Sequence, residues 1–197
     1  AAVATWAAMD AFCKKGGKAV MTLPSSALKC AGAPLKMAFM LRDRLAQGGR
    51  LKQSEVMFYS ALGNVFSVKS VNDNVLERWS NLGIALHTHQ TLQAIDIGGR
   101  RAIFASPDGG KTEVDYDFLH AVPPMRAPDA VKNSDLAWKE GPMAAGGWLE
   151  VDKDTLQHRR SPNVFGLGDI NGTPRGKTAA PATTSALIAA PQVLDVI

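Results

Sequence analysis

Lys18-Ala19-Val20-Met21-Thr22-Leu23-Pro24, then a loop through Cys30, then Pro34 to Gln47 closed by Gly48-Gly49, is the run from which the architecture can be read. Lys18 to Leu23 is short, apolar and partly β-branched, which predicts a strand, and Pro24 ends it. Proline just inside the next segment and glycine just past it bound a helix. The result is a β-loop-α unit with a cysteine in its loop. Upstream, Ala2 to Lys15 carries apolar residues at helical spacing and stops at Gly16-Gly17. Its lead-in from Ala1 has neither Met nor a capping residue, so the chain is expected to be a fragment.

Downstream the alternation continues, with a strand at Glu55 to Ser60, a helix at Asn72 to Asn81 and a strand at Ile84 to His89. Hairpins follow: Thr91 to Ile97, a Gly98-Gly99 turn, Arg101 to Ala105, an Asp108-Gly109-Gly110 turn, and Lys111 to Val114. Tyr116 to Val122 predicts one more strand, ending at Pro123-Pro124. The chain is then loop-rich as far as Trp148, where a domain boundary fits. Gly147 to Val151 and Asn163 to Leu167 read as strands, and Thr178 to Val193 as a helix interrupted or offset by Pro181 and Pro191. The expected class is α/β, an open sheet with a small antiparallel meander.

The composition excludes several functions. At 197 residues, 46% hydrophobic and 20% charged, the chain can build one or two ordinary domains. The net charge of +4 is scattered rather than gathered in basic blocks, and no nucleic-acid-binding motif accompanies it. Two cysteines, Cys13 and Cys30, make no disulfide framework and point to a reducing compartment or to thiol chemistry. No apolar run of roughly 18 residues is present to cross a bilayer. His87 and His89 share a strand, but without acidic or cysteine ligands at matching spacing no metal site is expected.

The stretch Ser161 to Asp169, followed by Lys177-Thr178-Ala179-Ala180, carries the most chemistry. It reads as a buried strand, a glycine turn bearing the Asp169 carboxylate, and a helix whose first N–H groups face that turn. A carboxylate can accept from sugar or ribityl hydroxyls, and a helix N-terminus favours an anionic oxygen or an electron-rich ring. The dinucleotide fingerprint is incomplete: after Gly166-x-Gly168 the third glycine position is Asn171, and Gly172 comes one residue late. Gly176-Lys177-Thr178 has a P-loop ending, but Asn171 stands where the first glycine belongs and Pro174 removes a donor. A structural turn is the plain alternative. Cys30 follows Lys29 in a loop that opens a helix, a setting that favours thiolate, although a buried inert cysteine is the simpler reading of the residue type.

Leu28-Lys29-Cys30-Ala31-Gly32-Ala33-Pro34, His120-Ala121-Val122-Pro123-Pro124-Met125, Gly147 to Asp152, Thr155 to Arg159 and Gly166 to Ala180 occur together and in this order. In that combination the chain resembles the sulfide:quinone oxidoreductases. The resemblance implies a partial two-dinucleotide-binding-domain, Rossmann-like flavoprotein fold. Residues 1–120 would be most of the second domain and 121–197 the returning part of the FAD domain, with the N-terminal FAD fingerprint half absent. It implies FAD as cofactor, sulfide and quinone as substrates, and a cytoplasmic location or a peripheral one on an energy-coupling membrane for the whole protein, the piece itself being expected to be soluble; it allows a homo-oligomer. Cys30 would handle sulfur, Gly168 and Asp169 would bind the flavin's ribityl chain, Lys177 and Thr178 would start the helix beside the pyrimidine ring, and Pro123 and Pro124 would cross near the isoalloxazine. Where many members carry a second redox cysteine directly after Gly-Asp, this chain has Ile170. Cytochrome c or NAD(P)H as alternative redox partners, and a non-catalytic piece holding no flavin, stay open.

Overall fold

In a computed structural model that describes residues 2–196, the β/α alternation forms one parallel sheet. Ala1, part of the expected leading helix, lies outside the described residues, as does Ile197. Helix α1 (Ala2–Lys15) leads through Gly16 and Gly17 into β1 (Gly17–Leu23), followed by α2 (Gly32–Gln47), β2 (Ser54–Ser60), α3 (Lys69–Leu82) and β3 (Ile84–His87). The two glycines have φ of +83° and +122°, a backbone that residues with a Cβ avoid, which is why the turn from helix to strand occurs there. The meander β4 (Thr91–Asp96), β5 (Arg101–Ala105) and β6 (Lys111–Asp115) is antiparallel, and β7 (Phe118–His120) then returns to the parallel sheet. The order is β3-β2-β1-β7, with Gly17 opposite Ser54, Ala19 opposite Phe118 and Val56 opposite Ile84.

The alternation of side chains along β2 builds two layers of core. Met57 and Tyr59 lie on one face with Val20, Ala102 and Phe104, so the meander covers that side of the sheet. Phe58, out of phase by one, packs at 4.7 Å on the Trp79 ring of α3, and Phe39 of α2 lies 6.0 Å from the same indole. In α2 the buried positions Leu35, Ala38, Leu41 and Leu45 recur every three or four residues, the stripe a helix lays on a sheet. His87 is committed to an aromatic stack, its ring 4.4 Å from Tyr59, which in turn lies 4.2 Å from Phe104. Among the described residues no three His, Cys, Asp or Glu side chains are grouped to hold a metal ion.

The chain divides into two compact units, one ending at Ser25 and resuming over Ala31–Pro123, the other made of Ser26–Cys30 with the residues from Pro124 onward. In the second unit the expected strands at Gly147 to Val151 and Asn163 to Leu167 do not form. Only isolated bridges join Leu149 to Ala137 and Asn171, Val151 to His158, and Gln157 to Phe165. Each segment meets its partner for a single residue, so no ladder propagates. The last helix, α5 (Ala179–Leu194), runs through both prolines without a break. Pro181 stands in the first turn, where no N–H is required. Pro191 leaves unbonded the carbonyl of Leu187, a residue 75% exposed and open to water. The sequence pattern did not reveal a one-turn helix, α4 (Asp129–Lys132).

Candidate functional site

Gly168 to Ile170 form a single 3-10 turn rather than the end of a strand, and Gly168 has φ +64°. That left-handed residue redirects the chain and leaves the Asp169 side chain 48% exposed. Two residues upstream the packing is tight: a Cβ on Gly166 would lie 2.6 Å from Leu149 Cδ2 and 2.9 Å from Val151 Cγ1. The turn is thus pressed against buried side chains on one side while its carboxylate faces outward on the other.

The loop Asn171 to Thr178 closes on itself. Thr173 donates its hydroxyl to Asn171 Oδ1 at 2.7 Å, and the Lys177 ammonium donates to the Asn171 carbonyl. Lys177 is only 5% exposed and its Nζ sits 4.4 Å above the centre of the buried Trp148 ring. Burial pushes its pKa down to about 8, with Asp169 opposing the shift and Lys29 adding to it. The Lys177 charge is turned inward rather than presented at the helix end. What α5 offers is its own N-terminus: Thr178, in extended conformation, makes no side-chain cap to the first turn. Arg175, Gly176, Ala180, Pro181 and Thr184 line a cavity of about 470 Å³ beside it.

Cys30 is half-buried and free, and it belongs to the same unit as Asp169 and Lys177. Lys29 Nζ lies 3.7 Å from Asp169 Oδ2, so the cysteine loop and the Gly-Asp turn are joined by an ion pair. The Lys29 backbone N–H donates to Met125 Sδ at 3.0 Å, and the Met125 N–H donates to Ser26 Oγ at 2.8 Å. Pro124 precedes Met125 in this unit. Pro123, also exposed, closes the other. Cys13 is buried in α1, and desolvation pushes its thiol pKa up, which keeps it protonated and inert. Sequence reading named the thiol, the carboxylate and the helix start. It missed Lys29, Ser26 and Met125 as partners, because they meet across 96 to 140 residues of sequence, and Asn171, because its bond to Lys177 closes a loop that no local pattern reveals.

The arrangement fits a cofactor that is both polyhydroxylated and electron-rich. An exposed carboxylate can accept hydroxyl hydrogen bonds, an uncapped helix start can face anionic or electron-rich atoms, and an open cavity with a guanidinium lies between α5 and its loop.

No family model matches the chain. Among curated proteins, the mitochondrial sulfide:quinone oxidoreductase of Mus musculus is 37% identical over 178 residues, 89% of this chain and 38% of that protein. That of Dictyostelium discoideum is 37% identical over 175 residues, 89% of this chain and 37% of that protein. The chain thus spans less than two fifths of the length of these relatives. The solved sulfide:quinone oxidoreductase from Aquifex aeolicus superposes with a TM-score of 0.77 over 95% of this chain and 46% of that one, at 18% identity, which establishes the shared fold. Identity of 37% across nine tenths of the chain, together with the shared fold, makes this chain similar to the sulfide:quinone oxidoreductases over the part of their length that it spans.

Proposed function

We propose that this chain is the sulfur-handling and flavin-contacting part of an enzyme that oxidises sulfide and delivers the electrons to a quinone. The observation that carries the reading is the ion pair from Lys29, the neighbour of Cys30, to Asp169 of the Gly-Asp turn. It brings a thiol-bearing loop and a hydroxyl-binding carboxylate into one unit beside an uncapped helix start. FAD, when bound, would supply the two-electron acceptor that a quinone reoxidises. The protein's own residues bind and orient: Asp169 would accept from a ribityl hydroxyl, and the α5 N-terminus would favour negative charge on the ring. Cys30 would take up the sulfur. Pro123 and Pro124 would border the ring, and Gly168 and Thr178 would let backbone approach it. In this reading residues 1–120 are most of the second dinucleotide domain and 121–197 the returning part of the FAD domain, and the whole protein meets a membrane surface peripherally. Among the described residues no helix is long and apolar enough to cross one.

In the intact gene product, sulfide should bleach the flavin absorption, and Cys30→Ser should lower sulfide-dependent quinone reduction by roughly a hundredfold or more. Unchanged turnover in that variant would overturn the reading. Ile170 favours a second one: the residue after Gly-Asp cannot supply a partner thiol, so an enzyme of the same fold with a different donor or acceptor, cytochrome c or NAD(P)H, is the alternative. Sulfide-dependent reduction of cytochrome c in place of quinone, or reduction of quinone by NAD(P)H without sulfide, would support it.

A further inference from the structure

Ser26 to Cys30 is a five-residue segment that clusters with the unit beginning at Pro124, although the residues on both sides of it belong to the other unit. Among the described residues three polar contacts hold it, and all lie in its own unit. Met125 contributes two of them in opposite directions: its N–H donates to Ser26 Oγ at 2.8 Å, and its thioether sulfur accepts the N–H of Lys29 at 3.0 Å. The third is the Lys29 to Asp169 ion pair at 3.7 Å, between side chains 40% and 48% exposed, a pair that water weakens. The two hydrogen bonds to Met125 are part-buried and bracket the loop on either side of Ala27 and Leu28. A thioether is a weak acceptor, and it is used here for a backbone donor one residue from Cys30.

We propose that Met125, with Ser26, is a positioning residue for Cys30: its backbone and its sulfur clamp the loop so that the thiol stays half-buried, in one orientation relative to the Gly-Asp turn. The inference deepens the proposed role of Cys30 and rests on that reading for its functional meaning, while the clamp itself can be tested on the thiol alone. Losing the clamp frees the loop and exposes Cys30 to solvent reagents. Leucine at 125 keeps the volume and removes the acceptor, whereas glutamine restores an acceptor, its amide oxygen, on a side chain of similar length.

The experiment follows alkylation of Cys30 by iodoacetamide in the 197-residue chain, reading the Cys30 peptide by mass spectrometry across a range of pH, with amide exchange at Lys29 measured in parallel. Met125→Leu is expected to accelerate alkylation about threefold to tenfold at every pH and to speed Lys29 exchange; Met125→Gln should return both toward wild type, and Ser26→Ala should accelerate alkylation as leucine does. Rates within about twofold of wild type in both Met125→Leu and Ser26→Ala overturn the clamp, as does Met125→Gln reacting as fast as Met125→Leu. If Met125→Leu does not fold, Ser26→Ala carries the same test. A clamp that behaves as expected in an intact protein whose Cys30→Ser variant still oxidises sulfide would overturn the proposed function and leave the clamp standing.

Discussion

Lys177 holds an ammonium at 5% exposure with a carbonyl and an indole face for neighbours. Burial holds its pKa near 8, below the ordinary 10.5 of an unfolded chain. Between those two values the unfolded chain keeps a proton that the folded chain has released, so this group makes stability rise with pH across that window. Lys177→Met should remove that rise, giving urea midpoints that climb less between about pH 8 and about pH 10.5 than in wild type. An unchanged difference in midpoint across the window would refute the burial argument. Gly166 makes a second case. A methyl group there would meet Leu149 at 2.6 Å and Val151 at 2.9 Å, both buried, so Gly166→Ala should cost about 1–3 kcal/mol in urea unfolding. Neither effect could be read from the sequence. Gly166 looked like part of a glycine fingerprint, and the glycine is instead fixed by close packing against residues 15 to 17 positions earlier.

Where an element is defined by its own periodicity, the sequence was enough. The proline and glycine that bound α2 and the short apolar run of β2 appear in the residues themselves, and the sheet follows from them. Where an element needs a distant partner, it was not. The apolar run at Gly147 to Val151 has strand composition but finds single bridges instead of a ladder, because Trp148, Leu149 and Val151 bury themselves against loops. Asp169 and Cys30 were legible as chemistry, whereas Lys29 and Met125 join them through contacts 140 and 96 residues apart in sequence. At this scale α3 offers a test of packing. Trp79 is 1% exposed against Phe58 and Phe39, yet its indole Nε1 has no hydrogen-bond partner. Trp79→Ala should therefore cost about 3–5 kcal/mol, while Trp79→Phe, which loses no hydrogen bond, should cost distinctly less; equal costs in urea melts would show that the N–H is satisfied after all.

At the scale of the whole molecule, the question is how much of a flavin site 197 residues can make. In the proposed reading the carboxylate of Asp169, the start of α5 and the cavity beside Arg175 would form one side of such a site, and none is a backbone cradle for a pyrophosphate. The Gly166-x-Gly168 turn cannot serve as one: Asn171 occupies the third glycine position, with its own side chain bonded to Thr173 and its carbonyl bonded to Lys177. Dinucleotide affinity draws heavily on backbone donors around the phosphates, so contacts to the ribityl chain and ring alone leave most of the binding free energy unrealised. The chain by itself should accordingly bind FAD at least about a thousandfold more weakly than the intact gene product, a gap of roughly 4 kcal/mol. Titration of flavin fluorescence against both proteins measures the difference directly. Comparable affinities would mean that Asp169 and the α5 start hold the cofactor almost unaided, and Asp169→Ala would then abolish binding in the 197-residue chain; a large gap left unchanged by Asp169→Ala, with turnover of the intact protein lowered, would assign the carboxylate to orientation of a cofactor anchored elsewhere.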